Sequence, residues 1–143
     1  MNQAAAAPSA SLPVPDIDDV NRPYFAGTAV GELRICHCPR CDALFRFAHA
    51  CCPNCWFQNP DFVVSSGRGE VETFTVVHQA PYESFTNKIP YVIALIQLSE
   101  GVRMMSNIVG CDPDSVQIGM PVKVTFEKRG AVHLPMFIPD SRV

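Results

Sequence analysis

The sequence predicts a mainly β protein in which a short helix and a cysteine-held ribbon precede a five-stranded barrel. Three observations carry that prediction. Cys38-Pro-Arg-Cys41 and Cys52-Pro-Asn-Cys55 are matched pairs with ten residues between them. Five β-rich runs follow the pairs. Between the third and fourth runs, Asp112-Pro113 is a helix-start signal, with Asp112 able to cap and Pro113 suited to a first helical position. This layout fits an OB-fold barrel; the SH3-like barrel, its nearest competitor, has no natural place for that helix.

The chain divides into four parts. Residues 1–16, rich in Ala, Pro and Ser, are expected to be a disordered lead-in. They lack the basic start of an export signal, and prolines and serines interrupt the apolar stretch. The seven cysteines are therefore expected in a reducing, cytoplasmic setting, where close pairs bind metal more often than they form disulfides. Over 17–32, Ile17, Val20, Tyr24, Phe25 and Val30 are loosely spaced for one helical face, with Asp18, Asp19 or Asn21 as candidate caps. Pro23, Gly27 and Gly31 limit that helix to a short one. Residues 33–65 form the predicted ribbon and 66–143 the predicted OB-fold domain.

The barrel strands are expected at Glu70–His78, Tyr91–Leu98, Val102–Val109, Val122–Glu127 and Val132–Ile138. Val122, Val124 and Phe126 alternate with Lys123, Thr125 and Glu127, the period of a half-buried strand. Tyr91–Leu98 is apolar almost throughout, as a strand covered on both faces would be. Ser99-Glu-Gly101 and Arg129-Gly130 read as tight hairpin turns. The link from Gln79 to Ile89 is the long loop after the first barrel strand, a position that often serves ligands in this architecture.

Composition excludes some functions. The net charge is −3, and only three of eleven basic residues are lysines, so a nucleic-acid groove is not expected. No apolar run approaches the roughly 18–20 residues needed to cross a bilayer.

The cysteine pairs carry the chemistry. Two intervening residues let both sulfurs of a pair meet one ion, and two pairs supply the four thiolates of a closed tetrahedral zinc site. Cys38, Cys41, Cys52 and Cys55 are thus the expected ligands of a rubredoxin-like ribbon, with iron as the alternative metal. Cys36 would bite too tightly beside Cys38, and Cys51 would point away from Cys52. His37 and His49 are expected as neighbours rather than ligands. Arg34, Arg40 and Arg46 are expected to offset the charge of the thiolates. Cys111 is expected to be a small buried side chain. A closed site leaves no open position for substrate, so the metal is expected to be structural. No catalytic set is expected: His78, His133, Ser84 and Glu83 have no spacing that implies a triad, and Gly67-Arg-Gly69 is too short for a phosphate loop.

The ordered motifs PYFAG, GELRICHCPRCDALF, CCPNCW, SGRGEVETFTVVH, IPYVIALIQLSEGVRMMSNIVG, IGMPVKVTFE and LPMFIP span roughly residues 20–139. Together they resemble the acyl-CoA-associated zinc-ribbon/OB-fold family. That resemblance implies a small accessory subunit beside a thiolase-superfamily enzyme, including the thiolase-like aldolases of steroid side-chain degradation, in some cases with a MaoC-like hydratase. It also implies acyl-CoA binding through the barrel and completion of the partner's substrate channel. The four ribbon cysteines match the family's ligand positions, whereas Cys36 and Cys51 fall where other residues are usual. The chain shows no fused hydratase, which implies a catalytic partner on a separate polypeptide and no activity of its own.

Coenzyme A needs cations for its phosphates and an apolar groove for its pantetheine arm. The candidate contacts are Arg68, Lys88 and Arg129 near barrel loops, with Tyr82 and Phe85 in the long loop. The competing reading is a nucleic-acid-binding zinc-ribbon/OB-fold module. A third is a stand-alone electron carrier with iron in the ribbon.

Overall fold

A computed structural model describes residues 11–141. The helix, α1 (Arg22–Ala29), begins after a turn that closes on itself. The Asp18 carboxylate accepts the N–H groups of Val20 and Asn21, and Asn21 Oδ1 accepts the N–H of Asp18. Asn21 holds the N-cap position, yet its side chain is spent on that turn and not on the helix. Gly31, at φ +79°, donates to the Thr28 carbonyl and ends the helix. α1 is shorter than 17–32, and the expected face does not form: Ile17 and Val30 lie exposed outside it. Tyr24, Gly27 and Thr28 are the buried positions, and Tyr24 joins the core with Leu33 and Ile35.

The ribbon is a three-stranded antiparallel sheet in the order β2-β1-β3, from β1 (Arg34–His37), β2 (Leu44–Phe45) and β3 (Asp61–Val64). Its register pairs Cys36 with Phe45 and with Phe62.

The barrel follows, from β4 (Arg68–Val77), β5 (Tyr91–Leu98), β6 (Arg103–Ile108), β7 (Pro121–Arg129) and β8 (Val132–Pro139). It closes in the order β4-β5-β6-β8-β7, with β7 returning to β4. All pairings are antiparallel except β6 with β8, which meet in parallel at Ile108 and Phe137. This is the OB-fold expected from the spacing of the runs. The expected helix is a single 3₁₀ turn, Pro113–Ser115, and Asp112 caps it by accepting the Asp114 N–H.

Period-two alternation decides what is inside. Val92, Ala94, Ile96 and Leu98 of β5 point into the core beside Val71, Met104, Val122 and Phe137. Tyr91, Ile93 and Leu95 are only half buried, which corrects the expectation of a strand covered on both faces. Their outward face is an apolar surface that the barrel itself does not cover. β4 pairs with both β5 and β7, and a bulge between Val71 and Thr73 interrupts its register with β5. At Gly69 the Gln97 carbonyl and Ile96 leave no room for a Cβ, so the strands approach each other closely there.

Candidate metal centre and barrel cleft

The sulfurs of Cys38, Cys41, Cys52 and Cys55 all lie within 4.8 Å of one another. Cys38 and Cys55 are 3.5 Å apart, and Cys41 and Cys52 are 3.7 Å apart. A tetrahedral ion with metal–sulfur bonds of about 2.3 Å separates its ligands by about 3.8 Å, so this donor set fits such an ion.

The two pairs are built alike. Cys38 N–H donates to the Ala43 carbonyl while Asp42 N–H donates back to the Cys38 carbonyl; Cys52 does the same with Phe57 and Trp56. Each turn needs a left-handed residue just after its second cysteine, supplied by Asp42 at φ +59° and Trp56 at φ +65°. Glycine is the usual occupant of such a position, and a bulky residue there is strained. Trp56 is 74% exposed, so packing does not explain it. The residue after each C-x-x-C is where a sequence search for these turns would look.

The second turn also aims donors at sulfur. Asn54 N–H points to Cys52 Sγ at 3.4 Å, and Asn54 Nδ2 reaches Cys41 Sγ at 3.5 Å. That amide, followed by the Ala43 N–H, holds the Cys41 thiol down to about 6. The Phe57 N–H pulls Cys55 down too, but desolvation and the sulfurs of Cys38, Cys41 and Cys52 together push it up to about 12. Four thiolates so close repel one another, and only a cation lets all of them ionise.

The neighbouring residues sort out as follows. Cys36 is buried and turned to the Phe47 carbonyl, 3.5 Å away, outside the cluster. His37 Nε2 meets Asp42 Oδ1 at 3.1 Å, and His49 lies beside the Phe45 ring. Two of the three arginines expected near the thiolates have other work. Arg34 pairs with Glu32 and donates to the Pro23 carbonyl. Arg46 stacks on Tyr24 at 4.4 Å and on Phe47 at 4.7 Å, and donates to Tyr24 Oη. Both tie α1 to the ribbon, because the core aromatics of α1 face that way. Arg40 is exposed.

A second site lies on the barrel. Phe85 and Lys88 of the long loop and Arg129 at the end of β7 line a cleft of about 240 Å³. Its walls include Tyr91, Asn107, Cys111 and Met136. A shallower hollow continues from it over Ile93 and Met105, the uncovered outward face of β5 and β6. Glu127 stands between the two cations, 3.8 Å from Lys88 Nζ and 3.6 Å from an Arg129 nitrogen. Arg129 is largely buried, and its Nε has no hydrogen-bond partner among the described residues. Cys111 is half buried in this wall and not fully enclosed.

Of the five residues read as coenzyme A contacts, the fold thus brings together Phe85, Lys88 and Arg129. Tyr82 touches the Phe85 ring at 6.3 Å but is 66% exposed and does not line the cleft. Arg68 lies in a separate polar depression with Glu70, Gln97 and Asp140. Asn107, Glu127 and Met136 escaped the sequence reading, because only strand pairing places β6, β7 and β8 beside the long loop.

Residues 62–127 match the family model described as the C-terminal OB-fold domain of ChsH2. A solved structure described as an Ltp2–ChsH2(DUF35) aldolase shares this architecture, with TM-score 0.78 and 35% identity over 88% of this chain and 98% of that one. The chain belongs to the DUF35 family. This is the zinc-ribbon/OB-fold family to which its motifs point. A DUF35 domain-containing scaffold protein of Methanothermobacter thermautotrophicus is 36% identical over 92 residues, 64% of this chain and 68% of the relative. The 3-oxo-4,17-pregnadiene-20-carboxyl-CoA hydratase alpha subunit of Mycobacterium tuberculosis is 53% identical over 66 residues, 46% of this chain and 21% of that protein. The DUF35 chain spans 43% of one further curated relative, which is longer, and matches 64% of another of about its own length. No helix among the described residues is long and apolar enough to cross a membrane.

Proposed function

We propose that this DUF35 protein is a non-catalytic subunit that binds acyl-CoA in the barrel cleft and docks on a thiolase-superfamily enzyme. The observation that carries the reading is the convergence of Phe85 and Lys88 with Arg129, distant from them in sequence, on one largely apolar cleft that also holds Asn107 and Glu127. Two cations suit phosphate, and an apolar wall suits a pantetheine arm or acyl chain. Ligand pockets commonly run from about 300 Å³ upwards, so a cleft of about 240 Å³ holds only part of an acyl-CoA. The remainder needs a second wall, which a partner enzyme would supply over the uncovered face of β5 and β6.

The ribbon takes zinc in this reading. Four thiolates close the coordination sphere, so the metal supplies folding energy and no site for substrate. Cys38, Cys41, Cys52 and Cys55 hold it, and Asn54 orients two of them. The relatives support an acyl-CoA setting: one solved neighbour is described as an aldolase assembly, and one relative as a hydratase subunit for a steroid-derived acyl-CoA. A retro-aldolase acting on a steroid side chain is therefore the partner reaction proposed, with a MaoC-like hydratase as a second partner.

The test is co-purification with a thiolase-like protein, followed by acyl-CoA turnover assays on each protein and on the mixture. Turnover is expected only in the mixture. Full turnover by this chain alone refutes the proposal.

A further inference from the structure

The segment preceding α1 is placed across the cleft just described. Leu12 forms part of its wall, beside Phe85, Cys111 and Arg129. Val14 packs on the β7–β8 turn, where a Cβ added to Gly130 would stand 3.2 Å from Val14 Cγ2. Pro15 sits in a different depression, with Tyr24, Arg46 and Phe47. Residues 12–15 thus run from the barrel cleft to the corner where α1 meets the ribbon.

The two ends of this run are held differently. At its base, the Asp16 carbonyl accepts Asn21 Nδ2 at 3.0 Å, and the Asp18 turn follows directly. Residues 11–15, in contrast, make no hydrogen bond among the described residues. Pro13 and Pro15 have no N–H to offer, and they hold the segment extended, so it loses little freedom on docking. Apolar side-chain contact alone keeps it down. Such contact is non-directional, and an alkyl chain can replace a leucine in it without stranding a polar group.

We infer that residues 12–15 are a displaceable strap, and that the acyl chain of a ligand reaches the apolar end of the cleft by expelling Leu12. The inference rests on the acyl-CoA reading above, so its test has one arm that needs no ligand. Cys111 shares the cleft wall with Leu12, and its alkylation by N-ethylmaleimide reports whether the wall is covered. In the zinc-loaded full chain, Leu12→Ser should raise the Cys111 labelling rate, read by peptide mass spectrometry, about threefold to tenfold. Cys51, which does not line the cleft, serves as the internal reference and should not change. Decanoyl-CoA should bind the variant about threefold to tenfold more tightly, because the native chain is competent only in the fraction with the strap released. Val14→Ser should shift both readouts the same way by less.

Unchanged Cys111 labelling in both variants, with native thermal midpoints, overturns the strap. Faster labelling with unaltered decanoyl-CoA affinity overturns the competition. If decanoyl-CoA binds neither chain while labelling still accelerates, the acyl-CoA reading falls with the competition, and the labelling alone upholds the strap.

Discussion

Glu100, in the turn between β5 and β6, accepts the hydroxyl of Ser65, which lies 3.0 Å from each carboxylate oxygen. The same carboxylate accepts the Ser66 N–H at 2.6 Å, and Ser65 Oγ in turn accepts the Gly67 N–H at 3.0 Å. One side chain from a barrel hairpin thereby holds the three residues that lead from the ribbon into β4. Burial alone would raise the Glu100 carboxyl, but the Ser66 N–H, its own N–H and the hydroxyls of Ser65 and Ser66 outweigh burial and hold it below the ordinary range.

Glu100→Gln should therefore destabilise the protein by about 1–2 kcal/mol at neutral pH. The sign of the pH dependence follows from the lowered carboxyl: its contribution is present above the ordinary value of 4.5 and is lost as pH falls through the folded value. Urea melts of both proteins should show the difference at pH 7 and its disappearance in acid. A difference that grows towards acid would contradict the assignment.

Removing the metal should unfold the ribbon first. Chelation, or Cys52→Ser, should release one metal ion per chain by mass spectrometry and lower the thermal midpoint steeply. Cys36→Ser should keep the metal, since its sulfur faces the Phe47 carbonyl and not the cluster. Loss of metal with an unchanged midpoint would refute a structural role.

Trp56 tests the backbone reading of the cysteine turns. Relief of left-handed strain, about 1 kcal/mol, is offset by the greater unfolded-state freedom of glycine, about 0.5–1 kcal/mol. Trp56→Gly should thus change stability by less than about 0.5 kcal/mol, whereas the β-branched Trp56→Val should cost more than about 1 kcal/mol. Thermal melts of the metal-loaded variants separate the two cases.

The cleft makes a spatial prediction. Arg129→Ala and Lys88→Ala should each weaken acyl-CoA binding about tenfold, the loss expected for one charge-assisted contact. Arg68→Ala, in a different depression, should bind as the native chain does. Titration calorimetry with one acyl-CoA across the three variants decides it, and a large loss at Arg68 alone would move the site.

Much of this was legible in the residues because the signals are local. The C-x-x-C turns, the alternation of Val122, Val124 and Phe126, and the Asp112-Pro113 start each need only a few neighbours in sequence. The helix face over 17–32 misled because those apolar residues have non-local partners: Tyr24 packs with Leu33 and Ile35, leaving Ile17 and Val30 outside. Arg34 and Arg46 misled for the same reason, since Arg46 finds Tyr24 across 22 residues.

The sequence by itself determined that four thiols would gather in one cluster and that five strands would close a barrel. Spacing dictates the first and side-chain period the second. Only the tertiary structure decided that Lys88 and Arg129 share a cleft, that Arg68 does not, and that Leu12 lies against its wall. Those relations depend on strand order, above all on the parallel meeting of β6 and β8, and on where a segment that makes no hydrogen bond among the described residues finds apolar contact. No short-range pattern encodes either one.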